Sequence, residues 1–312
     1  MGEPVRFDSV VVRYPDSDRN AVNGISLDVP AGSFTVLLGP SGCGKSTLLR
    51  TVNRLVVAQS GTVYVGESDN AAVPETLLRR RIGYVIQAVG LFSHMTVTQN
   101  IAVVPSLLNW DRERTARRVD ELLELVGLDP ARYRKRYPRE LSGGEQQRVG
   151  VARAIAAEPP VLLMDEPFGA VDAIVRASLQ DEMLRIVARL RTTVLFVTHD
   201  VDEALRLADR IVVMRDGKVE QYDTPLRILT KPATQYVSQL LDTQDVVRRL
   251  SLLTVADAMT SFVEPVEETI AADATLRESL NRFLEGAQRL RVERDGVTVG
   301  SITFDDVQRA VR

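Results

Sequence analysis

Apolar positions along the chain recur first with the period of strands and then with that of helices. Residues 10–12 and 25–29 read as strands on either side of a polar turn, and 34–38 is a continuous apolar run of buried-strand length. Residues 46–55 carry apolar side chains at helical spacing, so a buried strand, a glycine-rich loop and a helix N-terminus follow one another. Residues 82–86 predict another strand. Residues 112–126 and 144–157, rich in Arg, Glu, Leu and Ala, predict helices and make the middle of the chain a helical insertion. Two apolar strands, 161–164 and 194–197, then flank the amphipathic stretch 173–190, the alternation of a parallel sheet with crossover helices. Residues 232–251 read as helical and connecting. Beyond them, a helix at 275–284, strands at 289–292 and 298–302, and a helix at 305–311 predict a small α/β unit of its own. The expected fold class is α/β. A main domain covers 1–235 with a β-rich start and a helical subdomain at about 88–159, followed by a linker at 236–254 and a second domain at 255–312.

A chain of 312 residues with 45% hydrophobic content can bury one full core and a smaller one. The formal net charge of -3 leaves no positive field to hold a nucleic acid, so none is expected as a partner. The single cysteine, Cys43, excludes an intramolecular disulfide and fits a reducing compartment. The first residues lack the apolar run of a secretory signal, and no apolar stretch approaches the ~20 residues of a membrane helix. Any membrane role is therefore expected to come through a partner.

The glycine-rich loop is Gly39-Pro40-Ser41-Gly42-Cys43-Gly44-Lys45-Ser46-Thr47, a complete P-loop. Its glycines let successive N–H groups curl around phosphate oxygens, Lys45 reaches the β and γ phosphates, and Ser46 offers a hydroxyl to Mg²⁺. The helix behind the loop aims its positive end at the anion, and the same dipole, with Lys45, is expected to favour a reactive Cys43 thiolate. Asp165, at the end of the strand 161–164, suits the second Mg²⁺ contact, and Glu166 beside it can polarise an attacking water. Leu141-Ser142-Gly143-Gly144-Glu145-Gln146-Gln147 opens a helix whose N–H groups make a second anion site; alone, it reads equally as a serine-capped helix.

In this order, these motifs resemble the ATPase subunit of an ABC transporter from about residue 5 to residue 232. The resemblance implies ATP and Mg²⁺ as cofactors and assigns further roles. Tyr14 stacks on adenine, unless it is core packing, and Gln87 watches Mg²⁺ and the membrane partner. Ser142, Gly143, Gly144 and Glu145 form the signature, Asp172 touches the other subunit, and His199 is the switch histidine near the γ phosphate. It also implies a head-to-tail dimer, in which the signature of one copy closes over ATP on Lys45 of the other, and a permease docking near residues 88–100.

Three further stretches look like the osmoprotectant importers of the glycine betaine, carnitine and choline type: 145–154, 161–176 with Leu179-Gln180-Asp181-Glu182, and Gln221-Tyr222-Asp223-Thr224-Pro225. Such importers imply an extracytoplasmic solute-binding protein and a place on the cytoplasmic face of the membrane. Residues 255–311, with Ala258-Met259-Thr260 and Gly300-Ser301-Ile302-Thr303-Phe304-Asp305-Asp306, resemble one CBS repeat, with Thr303 and Asp306 where ligand-binding members hold a ribose. Two other readings stand beside this one. The first is an importer ATPase for an amino acid, polyamine or inorganic anion; the second is a soluble ABC ATPase of DNA repair or translation.

Overall fold

A computed structural model of the chain describes residues 2–86, 90–169, 173–243, 245–261 and 268–310. They divide into two compact units, Met1–Tyr222 and Asp223–Arg312. Strands β1 (Val5–Arg13), β2 (Asn20–Val29) and β3 (Phe34–Leu38) open the first unit, followed by α1 (Lys45–Val52), β4 (Ser60–Val65), β5 (Ser68–Asp69), α2 (Glu75–Arg81) and β6 (Ile82–Val85). The helical stretch comprises α3 (Val97–Ile101), α4 (Val103–Leu107), α5 (Arg112–Leu125), α6 (Pro130–Tyr133) and α7 (Gly143–Ile155). The sheet then resumes with β7 (Val161–Asp165), α8 (Ala173–Leu190), β8 (Thr193–Thr198), α9 (Val201–Leu207), β9 (Arg210–Arg215) and β10 (Lys218–Asp223).

The N-terminal strands form an antiparallel sheet in the order β2-β1-β4-β5. In β1, Val5, Phe7, Val10 and Val12 are buried while Arg6 and Asp8 are exposed, the one-sided pattern of a sheet with a single core face. Phe7 and Val10 both point inward although three residues apart, because a bulge at Ser9, in the left-handed region with φ 52°, absorbs the odd residue. That bulge interrupts the alternation and explains why the sequence predicts only the far half of this strand.

The second sheet runs β10-β9-β3-β8-β7-β6, and its pairs β9–β3, β3–β8, β8–β7 and β7–β6 are parallel. Every residue of β3, β7 and β8 is buried, as a parallel sheet covered on both faces requires. The carboxyl ends of β3, β8 and β7 therefore lie side by side, where open α/β sheets bind ligands. The P-loop leaves β3, Asp165 closes β7, and His199 follows β8.

The second unit begins with α10 (Pro225–Thr230), α11 (Gln235–Leu241), α12 (Val246–Leu252) and α13 (Val255–Ala258). It continues through β11 (Thr269–Ala271), α14 (Leu276–Leu284), β12 (Arg289–Arg294), β13 (Val297–Thr303) and α15 (Phe304–Ala310). Its sheet, β11-β12-β13, pairs β11 parallel and β13 antiparallel to β12, over a core of Leu250, Val255, Leu276, Leu290, Val292, Ile302 and Val307. Leu250 brings α12, from the stretch expected to connect the domains, into this core.

Candidate functional site

The P-loop curls tightly because two of its glycines have no alternative. Gly44 sits at φ +104°, where a Cβ would stand 2.0 Å from the carbonyl oxygen of Ala21, and a Cβ on Gly39 would meet the Met214 oxygen at 2.3 Å. Gly44 is also the N-cap of α1 and contributes no side-chain bond, so the first-turn N–H groups remain available to an anion. Lys45 is 4% exposed, and its Nζ donates to the Gly39 and Pro40 carbonyls at 2.7 and 2.9 Å. The ammonium is thus held inside the cradle, where a phosphate would compete with two neutral acceptors and prevail through its charge.

Asp165 is 2% exposed. Ser46 Oγ donates to its Oδ1 at 2.6 Å, and the Arg50 guanidinium donates to its Oδ2 at 2.9 Å. A hydroxyl and a carboxylate oxygen side by side are hard donors that fit Mg²⁺, which takes one or two protein ligands and completes its shell with phosphate and water. Among the described residues, no group of three or more Asp, Glu, His or Cys side chains is placed to hold a metal ion.

Glu166 occupies the left-handed region at φ 44°, pinned by its N–H donating to the Val197 carbonyl at 3.1 Å. Its Oε2 lies 3.3 Å from Nδ1 of His199. A non-glycine residue held there is strained, and such strain is kept where the surroundings fix a side chain in place.

Tyr14, Ser41, Gly42, Gly44, Lys45, Ser46, Thr47 and Glu166 share one cleft of about 710 Å³. The Tyr14 hydroxyl lies 3.2 Å from Thr47 Oγ1, and the residue is 44% exposed, so it is not core packing. Its ring offers an accessible face for a base. The sequence reading missed a further part of the lining, built by Ser17, Arg19, Asn20, Ala21, Asp216 and Gly217. Asp216 and Gly217 both have positive φ, the two-residue hairpin turn that an Asp-Gly pair signals. The turn clamps the loop: Gly217 N–H donates to the Cys43 carbonyl at 3.0 Å, and Asn23 N–H to the Gly217 carbonyl at 2.8 Å.

Cys43 is a correction. Its side chain is 5% exposed and packs in the core with Leu48 and Leu49, and burial pushes its thiol up despite the opposing pull of Lys45. The loop turns this side chain inward, so it is neither thiolate nor wall of the cleft.

Ser142 caps α7 through a reciprocal box: its Oγ accepts from Glu145 N–H at 3.3 Å, and its own N–H donates to Glu145 Oε2 at 2.7 Å. The Tyr133 hydroxyl also donates to Glu145, and this bond is the main cause of a lowered Glu145 carboxyl. Ser142 and Gly143 are exposed, and neither they nor Gly144 and Glu145 line the cleft around Lys45. Gln87 and Asp172 lie outside the described residues. Within 90–100, buried Asn100 accepts from Phe92 N–H at 2.8 Å and donates to the Phe92, Met95 and Thr96 carbonyls, and Phe92 itself is exposed. In the second unit, Thr303 Oγ1 and N–H both donate to Asp306 Oδ2, at 2.6 and 2.8 Å, and Arg309 pairs with Asp306. These two residues cap α15 and bond to each other.

A parallel sheet with a phosphate loop between β3 and α1, and a carboxylate pair after β7, defines a P-loop nucleoside-triphosphate hydrolase. The ABC transporter family profile matches residues 22–169. The glycine betaine uptake system ATP-binding protein YehX of Escherichia coli is 48% identical over 292 residues, 93% of this chain and 94% of its own. The glycine betaine/carnitine/choline transport ATP-binding protein OpuCA of Bacillus subtilis is 43% identical over 293 residues, 93% of this chain and 76% of its own. The dimeric ATP-binding cassette MJ0796, solved with ADP and Pi bound, matches with a TM-score of 0.64 at 30% identity, covering 71% of this chain and 98% of that one. The chain belongs to the ATP-binding subunits of the ABC transporter family, cassettes that work as dimers beside transmembrane permease subunits.

Proposed function

We propose that the chain energises an importer of quaternary-amine osmoprotectants, with glycine betaine, carnitine or choline as cargo. The observation that carries this reading is the reach of the similarity: relatives named for these solutes align over 93% of the chain, well beyond the ATP-binding core. In this reading Tyr14 stacks on adenine, the N–H groups of 42–47 and the Lys45 ammonium hold the phosphates, and Ser46 and Asp165 hold Mg²⁺. When bound there, Mg²⁺ would neutralise charge on the phosphates. Glu166 takes a proton as a water oxygen bonds to the γ phosphorus and the bond to the β-γ bridging oxygen breaks. His199, 3.3 Å away, orients that carboxylate.

Ser142–Glu145 lies outside the Lys45 cleft, which fits a head-to-tail pair in which each signature closes on the other copy's ATP. The exposed Phe92, braced by Asn100, fits permease docking within 88–100, with Gln87 leading into that segment. No helix among the described residues is long and apolar enough to cross a membrane, so a permease would supply the channel and hold the chain at the cytoplasmic face. A solute-binding protein would deliver the cargo. The order strand, helix, strand, strand, helix in β11 to α15 supports the CBS-like reading of the second unit.

Reconstitution with its permease in proteoliposomes tests the proposal. Hydrolysis is expected to rise with a binding protein loaded with glycine betaine, carnitine or choline. A rise only with an amino acid, polyamine or inorganic anion overturns the cargo, and failure to associate with any permease overturns the transport role.

A further inference from the structure

Arg50 has no place in the nucleotide chemistry above, yet it joins three elements at its edge. It follows Ser46 by one turn of α1, on the same face of the helix. One guanidinium nitrogen donates to Asp165 Oδ2 at 2.9 Å, and Nε donates to the Tyr84 hydroxyl on β6 at 3.3 Å. Ser46 meanwhile donates to Asp165 Oδ1 at 2.6 Å. The two oxygens of one buried carboxylate are thereby divided, one facing the P-loop hydroxyl and the other held by a cation from behind.

We propose that Arg50, steadied by Tyr84, is the positioning residue of the magnesium site: its hold on Oδ2 keeps Oδ1 of Asp165 turned toward Ser46 and any divalent cation there. The inference rests on the reading of Ser46 and Asp165 as the metal-side pair.

The physical case begins with the freedom of an aspartate. A carboxylate turns easily about its last torsion, which has broad minima, so a metal ligand needs a second contact to fix it. Asp165 lies at the end of the wholly buried strand β7, where water cannot supply that contact. A guanidinium suits the task, because its planar fork donates in two directions at once, here to a carboxylate and a phenol. The Tyr84 hydroxyl oxygen accepts from Nε at 3.3 Å and so fixes the plane of the guanidinium.

An opposing effect must be weighed. A positive guanidinium near a divalent cation repels it, which would make Arg50 a competitor. The Arg50 side chain is 42% exposed and approaches the oxygen turned away from Ser46, so water screens its charge. The orientation it imposes acts on a carboxylate that water does not reach. Orientation is expected to win.

The test uses the full-length protein and a fluorescent ATP analogue, titrated in EDTA and again in Mg²⁺, with Mn²⁺ affinity of the nucleotide complex read by electron paramagnetic resonance. The wild type is expected to bind the analogue more tightly with Mg²⁺, and Asp165→Asn to lose that gain. Arg50→Gln should lower the gain by roughly 10-fold or more, the loss that follows removal of outer-shell partners of metal ligands. Its affinity in EDTA should match the wild type. Arg50→Lys should recover part of the gain, since an ammonium reaches Asp165 but cannot also serve Tyr84. An undiminished gain in Arg50→Gln overturns the inference, and a larger gain makes the guanidinium a competitor, which also overturns it. Equal losses in EDTA and Mg²⁺ make Arg50 a structural staple and overturn it as well. If Asp165→Asn keeps the gain, the assignment of the metal-side pair falls first and the role of Arg50 falls with it.

Discussion

The strained backbone at Glu166 separates what this residue does for stability from what it does for chemistry. Its φ of 44° places a Cβ where L-residues are disfavoured, at a cost of roughly 1–2 kcal/mol for a residue with a side chain. Glu166→Ala keeps that strain and Glu166→Gly removes it, though glycine also gains about 0.4–1 kcal/mol of freedom in the unfolded chain. The glycine variant should therefore be the more stable of the two by a net ~0.5–1 kcal/mol, about 1–4 °C in Tm for a unit of this size. Glu166→Gln isolates the chemistry, because the amide keeps the shape beside His199 but cannot take a proton. Loss of a general base costs about 100-fold or more in kcat, or ~2.7 kcal/mol of barrier. ATP binding should survive in all three, since Lys45, Ser46 and Asp165 remain. Phosphate release and thermal unfolding, run in parallel, check both halves. Hydrolysis near wild type in Glu166→Gln would remove this carboxylate from the mechanism, and an alanine variant as stable as the glycine variant would show that the backbone relaxes without cost.

Other expectations follow from burial and close contact. Gly44→Ala should abolish ATP binding and lower stability, because its Cβ would lie 2.0 Å from the Ala21 oxygen; nucleotide titration and unfolding check it. Cys43 should react with iodoacetamide far more slowly in the folded protein than in urea, read by mass spectrometry, and fast labelling of the native chain would contradict its place in the core. Burial raises the Glu203 carboxyl, against the bonds from Thr198 and Gln180, so the folded state binds its proton more tightly than the unfolded state does. Its contribution to stability is full below the ordinary carboxylate range and is lost as pH rises through the raised folded value. Glu203→Gln should then gain on the wild type with rising pH in urea titrations, and a variant that loses ground on the wild type as pH rises would reverse the sign.

The parts of the cleft that were legible in the sequence are those whose residues are chain neighbours. The P-loop and the Asp165–Glu166 pair, like the Ser142 cap outside the cleft, are short runs of consecutive residues, so their letters carry the geometry. The wall made by Asp216 and Gly217 was not legible, because only the pairing of β9 with β3 brings their turn to Cys43 and Gly44. Cys43 failed for the converse reason. Its neighbours in sequence face the phosphates, and the curl that exposes their N–H groups turns this one side chain into the core. The ladder that sets β6 beside β7 pairs Tyr84 with Leu163, two residues before Asp165, and so brings it within reach of Arg50, a contact that helical spacing in α1 could not announce. The candidate nucleotide residues were therefore readable as local motifs. What orients those motifs is set by strand order, and sheet topology is where variants that alter metal dependence without touching nucleotide should be sought.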